Sequence, residues 1–187
     1  MEAFLLAALP KILSADRSFS VHPFQGKSDM MKKLEGRLHG YQKWLPEDWR
    51  IVVIVDRDDD DCHVLKQQME SAARSSGLRT RTSTKSTRWQ LVNRIAIEEL
   101  EAWYFGDWTA VQMAFPRVSP SVPGKRQYRD PDAVAGGTWE AFERVMKQYG
   151  YYQSGLAKIE AARNIGAHID PQRSQSRSFQ VFRDALL

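Results

Sequence analysis

The sequence predicts an α/β fold, and three observations carry that expectation. Ile51 to Val55 (I-V-V-I-V) is an unbroken run of β-branched apolar residues. Such a run reads as a strand buried on both faces, in the middle of a parallel sheet. A second apolar run, Trp89 to Ile97 (W-Q-L-V-N-R-I-A-I), reads as another strand. Around and between them, apolar residues recur at helical spacing, which predicts helices flanking the sheet.

In order, Phe4, Leu5, Ala8, Leu9 and Ile12 mark a helix over residues 1–13, shortened or kinked by Pro10. Phe19 to Phe24 alternates and predicts a short strand ending near Pro23, at a sheet edge. Ser28 is placed to cap a helix from about Asp29 to Trp44, with Met30, Met31, Leu34, Leu38 and Tyr41 as its apolar stripe. After the Ile51 strand, Asp60 or Asp61 can cap a helix to about Ser76, with Val64, Leu65, Gln68 and Met69 inward and Gly77 as its stop. Leu78 to Ser86 is polar, basic and Thr-rich, a pattern shared by strand and loop. The second strand leads into Glu98 to Phe105; if that segment is helical, Glu98 and Glu101 share a face. Prolines and glycines then make 113–138 a long irregular connection. Thr138 is placed to cap a helix from Trp139 to about Tyr149; a second runs from about Ser154 to Ile165, and Ser176 or Ser178 caps a last one. The expected organisation is an α/β core over 1–112, the connection over 113–138, and a helical C-terminal part over 139–187 packed on the core.

The residues most suggestive of chemistry follow the first strand. Asp56, Asp58, Asp59, Asp60 and Asp61 crowd into six positions, relieved only by Arg57. Gathering like charges costs free energy unless solvent or a cation compensates. Ligands of open α/β sheets bind outside the carboxyl ends of the strands. A divalent-cation site at Asp56, Asp58 and Asp60 is the expectation, with Asp59 to Asp61 also suited to a plain helix start. Glu98 and Glu101 are further candidate carboxylates, or simply a solvated helix face.

Spacing removes several alternatives. A calcium loop needs Gly and Glu where Asp61 and Gln67 stand. Gly26-Lys27-Ser28 lacks the glycine five residues earlier, where Val21 stands, so it is not a Walker A loop. Lys27 can still meet an anion at a helix N-terminus. A haloacid-dehalogenase motif wants Thr or Val where Asp60 stands, and lies nearer the chain start. A nucleotide-sugar glycosyltransferase shares the D-x-D but normally needs a longer chain.

Composition bounds the rest. The chain has 187 residues, net charge +4 and a pI near 9.2. No acid lies between Glu70 and Glu98, whereas Arg74, Arg79, Arg81, Lys85, Arg88 and Arg94 do. With Trp89 this block can track a phosphate backbone, or form an ordinary solvated face. No apolar stretch approaches the ~20 residues of a membrane span. Cys62 alone excludes an internal disulfide and suits a reducing cytoplasmic setting.

Five stretches carry a resemblance over nearly the whole chain: M-E-A-F-L-L-A-A-L-P, F-Q-G-K-S-D, I-V-V-I-V-D-R-D-D-D-D-C, N-R-I-A-I-E-E-L-E-A-W and S-R-S-F-Q-V-F-R-D. Together they resemble a Toprim-like bacterial family, domain-of-unknown-function family 4276, related in pattern to overcoming-lysogenization-defect nucleases. The resemblance implies a Toprim-like, mostly parallel sheet flanked by helices. It also implies that Asp56 and Asp58 hold Mg²⁺ (or Mn²⁺) for phosphodiester chemistry on nucleic acid, with Glu98 and Glu101 as further carboxylates. An ATPase partner encoded nearby is implied too, as is the alternative of a non-catalytic module docking on that ATPase or on nucleic acid. Lys27, Arg79, Arg81, Lys85 and Arg88 are the nucleic-acid candidates. The Toprim pattern also has an early Glu after a first strand. Here that strand is expected to lie before Met1, and Glu2, within a helix, does not replace it.

Overall fold

The computed structural model describes residues 1–83 and 88–187. It is an α/β structure with eight helices and a parallel two-stranded sheet among the described residues. The chain divides into two compact units, Pro23–Ile95 and a discontinuous one of Met1–His22 with Ala96–Leu187. This grouping differs from the 1–112, 113–138 and 139–187 division expected from the sequence.

In the continuous unit, α2 (Lys27–Gln42), β1 (Ile51–Asp56), α3 (Cys62–Ser75) and β2 (Leu91–Ala96) follow one another. Met30, Leu34 and Leu38 of α2 and Leu65, Met69 and Ala73 of α3 bury against Val53, Val55 and Leu91. Ile51, Val52 and Ile54 are only partly covered, so β1 buries one face more deeply than the other. A β-branched run reports strand preference but does not count the layers above it.

Several local expectations shift. Phe19 to Phe24 forms no strand. Gly26 at φ 88°, a conformation that favours glycine, precedes the first turn of α2, so Ser28 lies inside the helix. Val64 and Gln68 are exposed, and Leu65, Met69 and Ala73 make the inner face of α3. Gly77 follows the end of α3, as expected.

The discontinuous unit holds α1 (Glu2–Ile12), α4 (Glu101–Gly106), α5 (Trp108–Ala114), α6 (Thr138–Gln148), α7 (Lys158–Gly166) and α8 (Arg177–Leu186). All five predicted apolar positions of α1 are buried, and α1 packs mainly on α7. Pro10 lies in the last turn of α1, where it cannot donate to the Leu6 carbonyl, and the helix ends at Ile12. The 113–138 connection is short 3-10 turns pinned by buried Val118, Val122, Tyr128 and Val134. Ser176 caps α8, accepting from the Phe179 N–H at 3.2 Å. No helix among the described residues is long and apolar enough to cross a membrane.

Gly106 is a point of close approach to backbone and side chain within this unit. Its carbonyl accepts from the Gln175 N–H at 2.8 Å. A Cβ at position 106 would sit 2.8 Å from Ser174 Oγ, Ser176 Cβ and Ser176 N. Gly106→Ala is therefore expected to cost about 2 kcal/mol by overpacking. A urea midpoint equal to the parent's would contradict that approach.

Candidate functional site

β1 ends on Asp56, which is half-buried, and the chain turns at once, with the Asp60 N–H donating to the Arg57 carbonyl at 3.2 Å. Asp58 takes a left-handed backbone at φ 49°, which Asp tolerates better than most residues. Asp61 then caps α3, its Oδ1 accepting from the N–H groups of His63 (2.8 Å) and Val64 (3.0 Å). Those two bonds hold its carboxyl below the usual carboxylate range. Asp61 is thus a helix start, whereas Asp58 and Asp60 stay exposed at the turn.

These two carboxylates have a cation already. Lys27, the first residue of α2, places Nζ 2.7 Å from Asp58 Oδ2 and 2.6 Å from Asp60 Oδ2, and donates to the Arg57 carbonyl at 2.8 Å. Burial works to lower the Lys27 pKa, but hydrogen bonds and charge from Asp58 and Asp60 outweigh it and raise it. Both acids are about half exposed, so each pair contributes under about 1 kcal/mol. The sequence suggested that Lys27 meets an anion at a helix N-terminus; the structure shows those anions to be the carboxylates of the β1 exit.

The donor chemistry at this exit suits a hard divalent cation. Mg²⁺ keeps several waters and binds through one or two carboxylates plus substrate phosphates. Asp56 and Asp58 fit such an open site. A closed cage is another matter: no three His, Cys, Asp or Glu residues group to hold a metal ion among the described residues.

Glu98 and Glu101 belong to the discontinuous unit. Glu98 sits in a turn at φ 60°, and α4 begins only at Glu101, which is buried. They do not share a helical face, because the left-handed residue breaks the helix expected from Glu98 onward. Glu99 has the clearer role: its Oε2 accepts from Thr138 Oγ1 (3.0 Å) and the Trp139 N–H (2.9 Å) at the start of α6. Thr138 was the expected cap, but it is the first helical residue, and a carboxylate from 39 positions away serves instead. No local spacing signals such a cap.

Among the basic candidates, Arg79, Arg81 and Arg88 are exposed, and Lys85 lies outside the described residues. Arg79 Nε donates to the Arg88 carbonyl at 3.0 Å, joining the two segments. Arg81 lies over the Trp89 ring at 5.5 Å, and so does Arg50 at 5.4 Å.

One polar cluster carried no sequence signal. Between α3 and β2, the Glu70 carboxylate accepts from Asn93 Nδ2 at 2.9 Å, and Lys66 Nζ donates to the Asn93 carbonyl at 2.5 Å. Burial pushes the Glu70 carboxyl up, but hydrogen bonds from Asn93 and Thr80 and the charge of Lys66 hold it below the usual range. Burial lowers the Lys66 ammonium, partly offset by Glu70. The pair fastens helix to strand behind the acidic turn.

In comparisons with known proteins, neither a curated protein nor a solved structure matched this chain. The family comparison did match: the chain belongs to the family described as Domain of unknown function (DUF4276), whose model covers residues 1–187.

Proposed function

We propose that this protein is a Toprim-like, divalent-metal-dependent enzyme of nucleic-acid phosphodiesters, working in the reducing cytoplasm that a lone Cys62 suits. The observation that supports it best is the cation-gathering exit of β1, where the Lys27 ammonium lies on Asp58 and Asp60 beside Asp56. In this reading Asp56 and Asp58 would hold Mg²⁺ or Mn²⁺, with Asp60 as a further carboxylate of the same turn. When bound, the metal stabilises charge on the phosphoryl group and lowers the pKa of water. Lys27, whose ammonium lies on Asp58 and Asp60, would compete with a cation for these carboxylates and would be available to a phosphate oxygen once displaced. An ATPase encoded nearby is the partner this reading implies.

One observation favours a second reading. Lys27 already compensates Asp58 and Asp60, which suits a fold kept as a binding module that docks on an ATPase or nucleic acid without metal.

Calorimetric titration with Mn²⁺ and Mg²⁺, alongside cleavage of DNA and RNA, separates the two. Asp56→Asn with Asp58→Asn is expected to abolish metal binding and to lower cleavage by roughly 10³-fold or more, since metal stabilisation is worth several kcal/mol. Lys27→Met is expected to tighten metal binding roughly tenfold, equivalent to about 1.4 kcal/mol of relieved competition. Absence of metal binding in the parent and in Lys27→Met alike supports the binding module instead.

A further inference from the structure

We propose that the amino-terminal end of the β1–β2 sheet, opposite the acidic turn, is a stacking platform for single-stranded nucleic acid. This deepens the nucleic-acid reading above and rests on it.

Three segments meet at that end. The Ile51 N–H donates to the Gln90 carbonyl at 2.8 Å, and the Gln90 N–H to the Arg79 carbonyl at 2.8 Å. Arg50 therefore comes beside Trp89, and both Arg50 and Arg81 lie over its ring. On the Arg50 side, Trp49 meets Trp44 edge-on at 6.2 Å and 73°, and Trp44 meets Tyr41 at 5.5 Å and 62°. A T-shaped contact covers at most one face of one ring in each pair, and Trp44 and Trp49 remain 58% and 50% exposed. Contiguous exposed apolar surface marks an interaction site, whereas apolar side chains exposed singly do not.

Charge decides the partner. Arg50 and Arg81 lie over the Trp89 ring, and exposed Lys43 and Arg88 neighbour Trp44 and Trp89 in sequence, with Glu47 and Asp48 the acids of the segment 41–50. Open π faces among guanidinium groups fit a polyanion whose bases are unpaired. In a duplex the bases are stacked on one another and closed to aromatic side chains. The strand rise of about 3.3 Å per residue puts the platform roughly 17 Å from Asp56 along β1. A strand could be held at one end of the sheet while its backbone runs toward the acidic turn at the other.

The test is fluorescence anisotropy of the full chain in EDTA, with a labelled oligo(dT) strand and a duplex of equal length. The single strand is expected to bind at least tenfold tighter. Trp44→Ala with Trp49→Ala should weaken it by roughly tenfold or more, with Trp49→Phe retaining most of the affinity. Arg50→Ala and Arg81→Ala should each flatten the log–log salt dependence by about 0.7. Equal binding of duplex and single strand, or binding unmoved by loss of both Trp, overturns the platform even if metal-dependent cleavage is found. No oligonucleotide binding, with self-association lost in the Trp variant, overturns it in favour of a second copy of the chain. Single-strand binding with no metal dependence anywhere leaves the platform standing and removes the enzymatic reading alone.

Discussion

Asp107→Ala is expected to destabilise the protein by about 3 kcal/mol and to lower its melting temperature by roughly 10 °C. The Asp107 side chain is fully buried between α4 and α5. Its Oδ1 accepts from Arg173 Nε at 2.5 Å and from the Ala110 N–H at 3.3 Å. Its Oδ2 accepts from Arg173 Nη2 at 2.9 Å and the Asp170 N–H at 2.8 Å. Removing the carboxylate strands these donors together, and a buried donor left unpaired costs more than its bond contributed. The hydrogen bond and charge of Asp107 raise the Arg173 pKa in the parent; in the alanine variant that support is gone, but arginine stays charged regardless and cannot relieve the loss by deprotonation. Arg173 is about one-third exposed, which sets the expectation at the lower end of the range for broken buried pairs. Asp107→Asn keeps an acceptor and should lose less. A calorimetric melt shifted by under about 2 °C in the alanine variant would refute the anchoring role.

Trp103→Ala is expected to cost about 3–5 kcal/mol, the range for large aromatics removed from a core. Trp103 is wholly buried, with ring centroids of Phe4, Phe179 and Phe182 at 5.6, 5.2 and 5.1 Å. Its Nε1 donates to Ser178 Oγ at 2.9 Å, and Ser178 in turn donates to Asp132 at 2.9 Å. The substitution opens a cavity among α1, α4 and α8 and removes a donor from a buried chain of hydroxyls. Trp103→Phe keeps most of the volume and should recover about half of the loss. Urea denaturation measures both; a midpoint for the alanine variant close to that of an exposed control such as Trp44→Ala would sink this account.

These two residues also show where sequence reading reached and where it stopped. Trp103 sits in a run, Ala102 to Phe105, that any hydrophobic reading places inside. Asp107 offers no such signal, since its partner Arg173 lies 66 positions away. Thr138 and Glu99 repeat the lesson. A Thr before an apolar run is a good local cap, yet a remote carboxylate reaches the site and displaces it. Ser28 was a good local choice as well, but the chain enters α2 through a left-handed Gly26 two positions earlier.

The sequence by itself determined the α/β class, family membership, the buried stripe of α1, strands β1 and β2, an Asp cap at Asp60 or Asp61 and the Gly77 stop. Each of these is written in neighbouring residues, through periodicity, branching at Cβ or a single backbone preference. Tertiary structure alone decided that Lys27 lies on Asp58 and Asp60, that Glu98 leaves the helix Glu101 begins, and that α1 joins the C-terminal helices. Such facts depend on side chains far apart in the chain meeting at a few ångströms. No local pattern encodes which of several suitable partners arrives.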